Sequence, residues 1–381
     1  MGFLLALSCA LILYGTLYPF SFSSGLREES IVTLLLESLN GRFGRGEAIA
    51  NVILFSPFGF FAMQRVLPRV PRPIRLIIIV VAGAAFSFGI ECAQSRLPGR
   101  IVSIYDIAAN TAGALLGSLA GWKNWRGKLS GFRSDDSGFA IFPLLLLGAW
   151  LCRRLYPFAP ALDVQNVKNA LKPLIFGAFS SMDALWFFIV TMIVCRLVMT
   201  ITSAGRIRTA LTFLPLVVIA VKPFITGGGI SQAEIFGTLS GIAVWLYILG
   251  RLRMNTGILA FLLMALIVVR ELSPFVFSAN PGHFSFIPFD RFLKAVTYVN
   301  ILQFIEKIFL YGALVWLLVK TVRSLKFSLI LSVVLLTGIE IMQMYMPGRV
   351  TEITDPLLAV ILGVFLYFLD LREESSYSKR K

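Results

Sequence analysis

Six polar or turn-forming residues occur twice in this chain with the same spacing. The first set is Glu91, Gln94, Pro98, Gly99, Arg100 and Asp106, and the second is Glu340, Gln343, Pro347, Gly348, Arg349 and Asp355. Each member of the second set follows its counterpart by 249 residues. Such recurrence in one register indicates a duplicated unit, and it marks these residues as candidates for a functional site.

The spacing within the first set predicts that its side chains converge. Glu91 and Gln94 are three residues apart, and Asp106 and Asn110 are four apart, so each pair shares one helix face. Arg100 lies in the Pro-Gly turn between the two helices. Two interpretations stay open: Arg100 neutralises both carboxylates and locks the helix pair, or the groups form a polar pocket for a lipid headgroup or glycan. By the same reasoning, Arg349 is the expected cationic partner in the second set.

Other catalytic and metal-binding patterns are missing from the sequence. His283 is the only histidine, and each of the four cysteines lies inside an apolar block. A nucleophilic triad, a metal centre and a cofactor site are therefore not expected. Acid–base chemistry by the Glu, Arg and Asp cluster is the one enzymatic route left, and we favour a non-enzymatic role over it.

The composition is that of an integral membrane protein. Hydrophobic residues make up 57% of the chain and charged residues 14%, against about 45–50% and about 25% in soluble proteins. The net charge of +15 is expected from Lys and Arg in cytoplasmic loops facing anionic lipid. Membrane lipid is thus an expected partner, and nucleic acid is not.

Twelve apolar blocks predict an all-α protein of about twelve transmembrane helices, because a backbone in lipid must satisfy its own hydrogen bonds. The blocks are 3–20, 48–66, 74–95, 104–122, 139–157, 183–203, 208–226, 234–250, 255–275, 302–320, 327–345 and 353–370. Basic residues gather in the even-numbered connections, as at Arg69, Lys128, Arg206, Arg251 and Lys326. The positive-inside rule places these connections and both termini in the cytoplasm.

The blocks divide into three parallel four-helix repeats. Similar signatures end three of the helices: Leu17-Tyr18-Pro19-Phe20, Leu155-Tyr156-Pro157-Phe158 and Leu272-Ser273-Pro274-Phe275. The predicted units are 1–125, 138–252 and 255–371, followed by a cytoplasmic tail, 372–381. An even number of helices gives successive units the same orientation.

The middle unit is degenerate. Ser231 and Glu234 stand 128 residues after Ser103 and Asp106, but Ile219 and Lys222 replace Glu91 and Gln94.

The first unit resembles the VanZ-like family. The resemblance rests on the helix ending in Tyr-Pro-Phe, on the run from Asn51 through Pro57 to Gly59, and on Glu91, Gln94, Arg100, Asp106 and Asn110. The last unit keeps Glu340, Gln343, Arg349 and Asp355, but it has Ala359 in place of Asn110 and Glu306-Lys307 in place of Pro57-Phe58. We therefore assign its four polar residues a secondary or structural role.

The resemblance implies a multi-pass protein of the bacterial cytoplasmic membrane, in a family named for a member associated with glycopeptide (teicoplanin) resistance. It implies no agreed reaction. We expect the polar set of the first unit to bind a lipid-linked or cell-wall-related ligand at the outer face. A transporter or lipid flippase, and a membrane enzyme acting on a lipid phosphate, are the alternatives.

Two further patterns carry expectations. Arg153-Arg154 and Arg270-Glu271 precede the Pro-Phe signatures, where the arginines either snorkel to the interface or contact an anionic headgroup. Gly113 and Gly117 form a small-xxx-small pair, which predicts close contact between two helices.

Overall fold

The computed structural model describes residues 2–18, 20, 22, 30–39, 45–98, 101–122, 141–161, 163–201, 205–252, 254–290 and 298–378. These residues are mostly helical, which confirms the predicted helical class. The chain divides into two compact units, 1–129 and 130–381. The second compact unit contains both the middle and the last predicted repeat.

In its described residues, the first compact unit contains five helices: α1 (Gly2–Leu17), α2 (Ile31–Ser38), α3 (Arg45–Arg65), α4 (Arg72–Gln94) and α5 (Ile104–Trp122). The short helix α2 lies within the long first connection. Its first turn is capped by Ser30, whose hydroxyl accepts a hydrogen bond from the backbone N–H of Val32. Such a cap satisfies one of the backbone donors that a helix leaves free at its start.

Glycines bring α3 and α5 into backbone contact. A Cβ atom on Gly117 would lie 1.9 Å from the Ser56 carbonyl oxygen, and one on Gly113 would lie 2.4 Å from the Val52 oxygen. From the opposite helix, a Cβ on Gly59 would lie 2.0 Å from the Ala114 oxygen. The predicted close contact of the small-xxx-small pair is therefore present, and its partner is α3.

From residue 141 to residue 247, the described part of the second compact unit has six α-helices: α6 (Ile141–Leu155), α7 (Val164–Phe176), α8 (Ser181–Ile201), α9 (Gly205–Thr212), α10 (Leu214–Val221) and α11 (Gln232–Tyr247). Short 3₁₀ turns follow α10 and α11, at Lys222–Phe224 and Leu249–Arg251. The block 208–226, predicted as one helix, is instead divided between α9 and α10. The break falls at Phe213, the N-cap of α10, because Pro215 has no N–H to continue the hydrogen bonds of α9 and is tolerated only in the first turn of a new helix.

The unit continues with α12 (Asn255–Leu272), α13 (Tyr298–Val322), α14 (Leu325–Gln343) and α15 (Thr354–Ser378). Two short parallel strands, β1 (Phe284–Ser285) and β2 (Thr351–Glu352), pair Phe284 with Thr351 and Ser285 with Glu352. Helices α8 and α13 form the core: residues 192–195 and 313–317 are wholly inaccessible to solvent.

Six helices in the described part of the chain are long and apolar enough to cross a membrane: Arg72–Gln94, Ser181–Ile201, Gln232–Arg251, Asn255–Leu272, Asn300–Val322 and Leu325–Gln343. Three shorter apolar helices accompany them, at Leu4–Leu17, Leu214–Phe224 and Thr354–Leu369. Every predicted block contains helix, but some helices are short. The 15 residues of α6 extend about 22 Å, at 1.5 Å per residue. Twelve spans in three four-helix repeats stay a prediction.

Candidate functional site

Glu91 and Gln94 tie the end of α4 to its neighbours. Both side chains are buried, Glu91 almost completely. Glu91 Oε2 accepts a hydrogen bond of 3.0 Å from the backbone N–H of Ser103, just before α5. Gln94 Nε2 donates to the carbonyl oxygen of Thr16, near the end of α1, at 2.8 Å. These two residues therefore position three helices around one corner of the first compact unit.

Asp106 and Asn110 lie on the facing helix, α5, and bond to side chains of other helices. Asp106 Oδ1 accepts a hydrogen bond of 2.8 Å from Asn51 Nδ2 of α3. Asn110 Nδ2 donates to Ser87 Oγ of α4 at 2.9 Å. Arg100 lies outside the described residues, so its pairing with either carboxylate stays a prediction.

Asn110 carries a buried hydrogen-bond acceptor that is not used within the described structure. The side chain is 3% exposed, and its Oδ1 atom has no hydrogen-bond partner in the described part of the chain. A buried acceptor left without a donor costs about 1–3 kcal/mol. This oxygen is therefore a place where a donor from a bound molecule would be stabilising.

The amphipathic helix α2 is attached beside the same corner. The Ser38 hydroxyl accepts a hydrogen bond of 3.0 Å from the backbone N–H of Ile104. The Tyr105 hydroxyl donates to the carbonyl oxygen of Leu39 at 3.1 Å. On its other side α2 leaves Val32 and Leu36 exposed, so an apolar surface lies next to the polar corner.

The last unit repeats the two contacts that Glu91 and Gln94 make in the first unit. Glu340 Oε2 accepts a hydrogen bond of 3.1 Å from the backbone N–H of Glu352, the residue at the position of Ser103. Gln343 Nε2 donates to the carbonyl oxygen of Glu271 near the end of α12, at 2.9 Å. The recurrence in sequence is thus also a recurrence of contacts across a helix pair.

The acid at the start of the last helix has a different environment in this unit. The two oxygens of Asp355 accept hydrogen bonds of 2.6 and 2.8 Å from Lys307 Nζ, and Asp355 Oδ2 also accepts one from the Tyr311 hydroxyl. The first unit has Phe58 and Ala62 at those two positions. Asp355 is therefore neutralised by its own chain.

The expectation that Arg349 is the cationic partner of these carboxylates is corrected by the structure. Arg349 is exposed, and Nη2 donates to the carbonyl oxygen of Ser273 at 2.8 Å. The cationic partner of Asp355 is instead Lys307, a residue at which the sequence departs from the family pattern. The sequence could have predicted that Lys307 is paired, because a lysine inside an apolar helix needs an acidic partner.

The middle unit also places a buried acid at the start of its last helix. Glu234, at the position of Asp106, accepts hydrogen bonds from Lys222 Nζ at 2.7 Å and from Arg154 Nη2. Lys222 stands at the position of Gln94, so the replacement noted in the sequence supplies a counter-ion. The three acids share a place in their units and differ in their partners.

Comparison with known proteins agrees with the predicted boundaries of the first and last units. The VanZ/LLP1 family model matches residues 3–123 and 256–370, which together are more than half of the chain. The matched ranges correspond to the first and last predicted units, and the middle unit lies outside them. No curated protein and no solved structure matches the chain.

Proposed function

Since the chain belongs to the VanZ/LLP1 family, we propose that it is a membrane protein that binds an envelope lipid or a cell-wall-related ligand through its first unit. The observation that carries the proposal is the buried Oδ1 atom of Asn110, for which the described residues supply no donor. The ligand would donate an O–H or N–H group to it. Glycan hydroxyls, peptide amides and amino-containing headgroups have such donors.

The contrast between the units supports the first unit as the binding unit. The first unit has Phe58 and Ala62 where the last unit has Lys307 and Tyr311, the two residues that donate hydrogen bonds to Asp355. At the position of Asn110 the last unit has Ala359, which offers no polar atom. The last unit therefore serves as scaffold in this proposal, and Arg100 completes the binding set of the first.

The position of this corner agrees with an extracytoplasmic site. It lies at the connection between α4 and α5, and basic residues gather at the opposite ends of these helices, as at Arg69 and Arg72. The positive-inside rule assigns those basic ends to the cytoplasm. A ligand would then reach the corner from the outer leaflet, beside the exposed apolar side of α2.

The test replaces Asn110 with Ala, the residue that the last unit has at this place. Loss of one ligand hydrogen bond of about 1–1.5 kcal/mol lowers affinity about tenfold. Lipids that copurify with the full-length protein are quantified by mass spectrometry per folded molecule. In parallel, a deletion strain complemented with each variant is tested for teicoplanin sensitivity and for accumulation of lipid intermediates.

The matched control is Ser87→Ala, which removes the partner of Asn110 Nδ2 and leaves Oδ1 in place. We expect Ser87→Ala to retain the copurified lipid and Asn110→Ala to lose most of it. Unchanged lipid content and an unchanged envelope phenotype for Asn110→Ala, at wild-type abundance, would contradict the proposal. If the purified protein moved a fluorescent lipid from one leaflet of a liposome to the other, transport would instead be favoured.

A further inference from the structure

A charged cavity lies in the second compact unit, whereas the corner described above belongs to the first. It has a volume of about 280 Å³ and lies among α6, α8, α10, α11, α12 and α13. Arginines from two helices, Arg153 and Arg154 of α6 and Arg270 of α12, face it together with Trp150 and Trp186. Arginine and tryptophan are among the residues that contribute most binding energy at protein interfaces.

Positive charge is in excess around this cavity. Glu306 of α13 bridges two arginines, accepting from Arg153 Nε at 2.9 Å and from Arg270 Nη1 at 3.0 Å. Behind them, Glu234 is paired with both Arg154 and Lys222. Four cations thus share two carboxylates in this group. The other acid on the lining, Asp183, is exposed at the start of α8.

Two of the arginines have donors to spare. A guanidinium has five N–H donors, and the contacts with Glu306 use one nitrogen each of Arg153 and Arg270. Both side chains are also partly accessible, at 39% and 44% exposure, whereas Arg154 is 16% exposed. Arg153 and Arg270 can therefore contact an incoming anion while Arg154 stays paired behind them.

Aromatic rings hold the arginines in place and give the cavity an apolar wall. The Arg270 guanidinium lies 3.7 Å from the centre of the Trp186 ring, and that of Arg154 lies 4.8 Å from the centre of the Phe187 ring. Stacking of this kind is favourable, and more so away from water. A site that combines fixed guanidinium groups with tryptophan surface suits an amphiphile with an anionic head.

We propose that this cavity binds the phosphate group of an amphiphile, with Arg153 and Arg270 as its direct ligands. Guanidinium groups bind phosphate through paired N–H donors, which makes arginine the preferred residue for this anion. Without a ligand, Glu306 forms ion pairs with both arginines. The phosphate replaces the Glu306 carboxylate as their partner when it binds. The sequence left two interpretations of these arginines open, snorkelling or headgroup contact, and the cavity favours the second.

The test uses the full-length protein in detergent micelles and measures retained lipid by native mass spectrometry. The probes are phosphatidic acid, phosphatidylglycerol, neutral-headed diacylglycerol and inorganic phosphate. We expect Arg270→Gln to lower retention of both phospholipids about tenfold, the effect of one charge-assisted contact. The matched control is Lys326→Gln, which removes one exposed positive charge elsewhere and should leave retention unchanged.

A second variant separates binding from folding. Glu306→Gln removes the carboxylate that competes for the two arginines, so it should raise phospholipid retention, the opposite of what a purely structural ion pair predicts. Inorganic phosphate that displaces the lipids at millimolar concentration would identify a soluble phosphate compound as the source of the anion. Displacement only by phospholipid would identify a headgroup.

Equal retention by Arg270→Gln and Lys326→Gln would overturn the proposal, and so would diacylglycerol retained as well as the phospholipids. A decrease for Glu306→Gln would overturn the competition between carboxylate and phosphate. The Asn110→Ala variant should leave all these results unchanged, because Asn110 belongs to the other compact unit. The two proposals can therefore fail separately.

Discussion

Replacing Lys307 with Met tests how the last unit is held together. Asp355 has only 7% of its side chain exposed, and both of its oxygens accept hydrogen bonds from Lys307 Nζ. Removal of one partner from a buried ion pair costs about 3–5 kcal/mol, because the remaining charge has left water without a counter-ion. Methionine matches the lysine side chain in length up to Cε and lacks only the terminal amine, so loss of packing adds little.

The assay is thermal unfolding of the purified protein in detergent. At about 2–4 °C per kcal/mol for a domain of this size, Lys307→Met should lower the melting temperature by about 6–20 °C. The double variant Lys307→Met, Asp355→Leu should recover part of this loss, because an apolar pair can replace a buried ion pair at little cost. The recovery is incomplete because the buried Tyr311 hydroxyl loses its acceptor, which costs about 1–3 kcal/mol. A melting temperature unaffected by Lys307→Met, or a double variant less stable than the single one, would refute the reasoning.

Two further changes test contacts that the sequence suggested. Arg349→Ala removes an exposed hydrogen bond to a carbonyl, so we expect it to cost about 0.5–1.5 kcal/mol, and a loss as large as that of Lys307→Met would restore Arg349 as the main partner. Gly117→Ala would place a methyl group 1.9 Å from the Ser56 oxygen and should sharply reduce the folded fraction on size-exclusion chromatography. Gly89→Ala, where nothing lies within 4 Å of the added carbon, should leave that fraction unchanged or raised, since alanine favours helix over glycine by about 1 kcal/mol.

The positions of the helices follow from the sequence because they depend on local composition. An apolar stretch in a membrane has to form helix, and each of the twelve predicted blocks contains one. The exception to a single helix per block, at 208–226, arises at Pro215, a residue visible in the sequence. Whether every helix crosses the membrane depends on how many residues are helical in the folded protein. In α6 the helix ends at Leu155, after 15 residues.

The correspondence between Glu91 and Glu340, and between Gln94 and Gln343, also follows from the sequence, because the repeat at an offset of 249 residues aligns them. Glu91 and Glu340 make the same contact with the chain that begins the next helix. The small-xxx-small pair predicted a close contact, although only the structure shows that α3 is the partner of α5.

The partners of the charged groups were decided by the tertiary structure. Spacing along a helix predicts which side chains share a face, but it does not say which residue of another helix lies opposite. Lys307 lies 48 residues from Asp355, and Arg153 lies 153 residues from Glu306. Those pairings depend on the rotation and register of packed helices, and the cavity among the arginines exists only once six helices have come together.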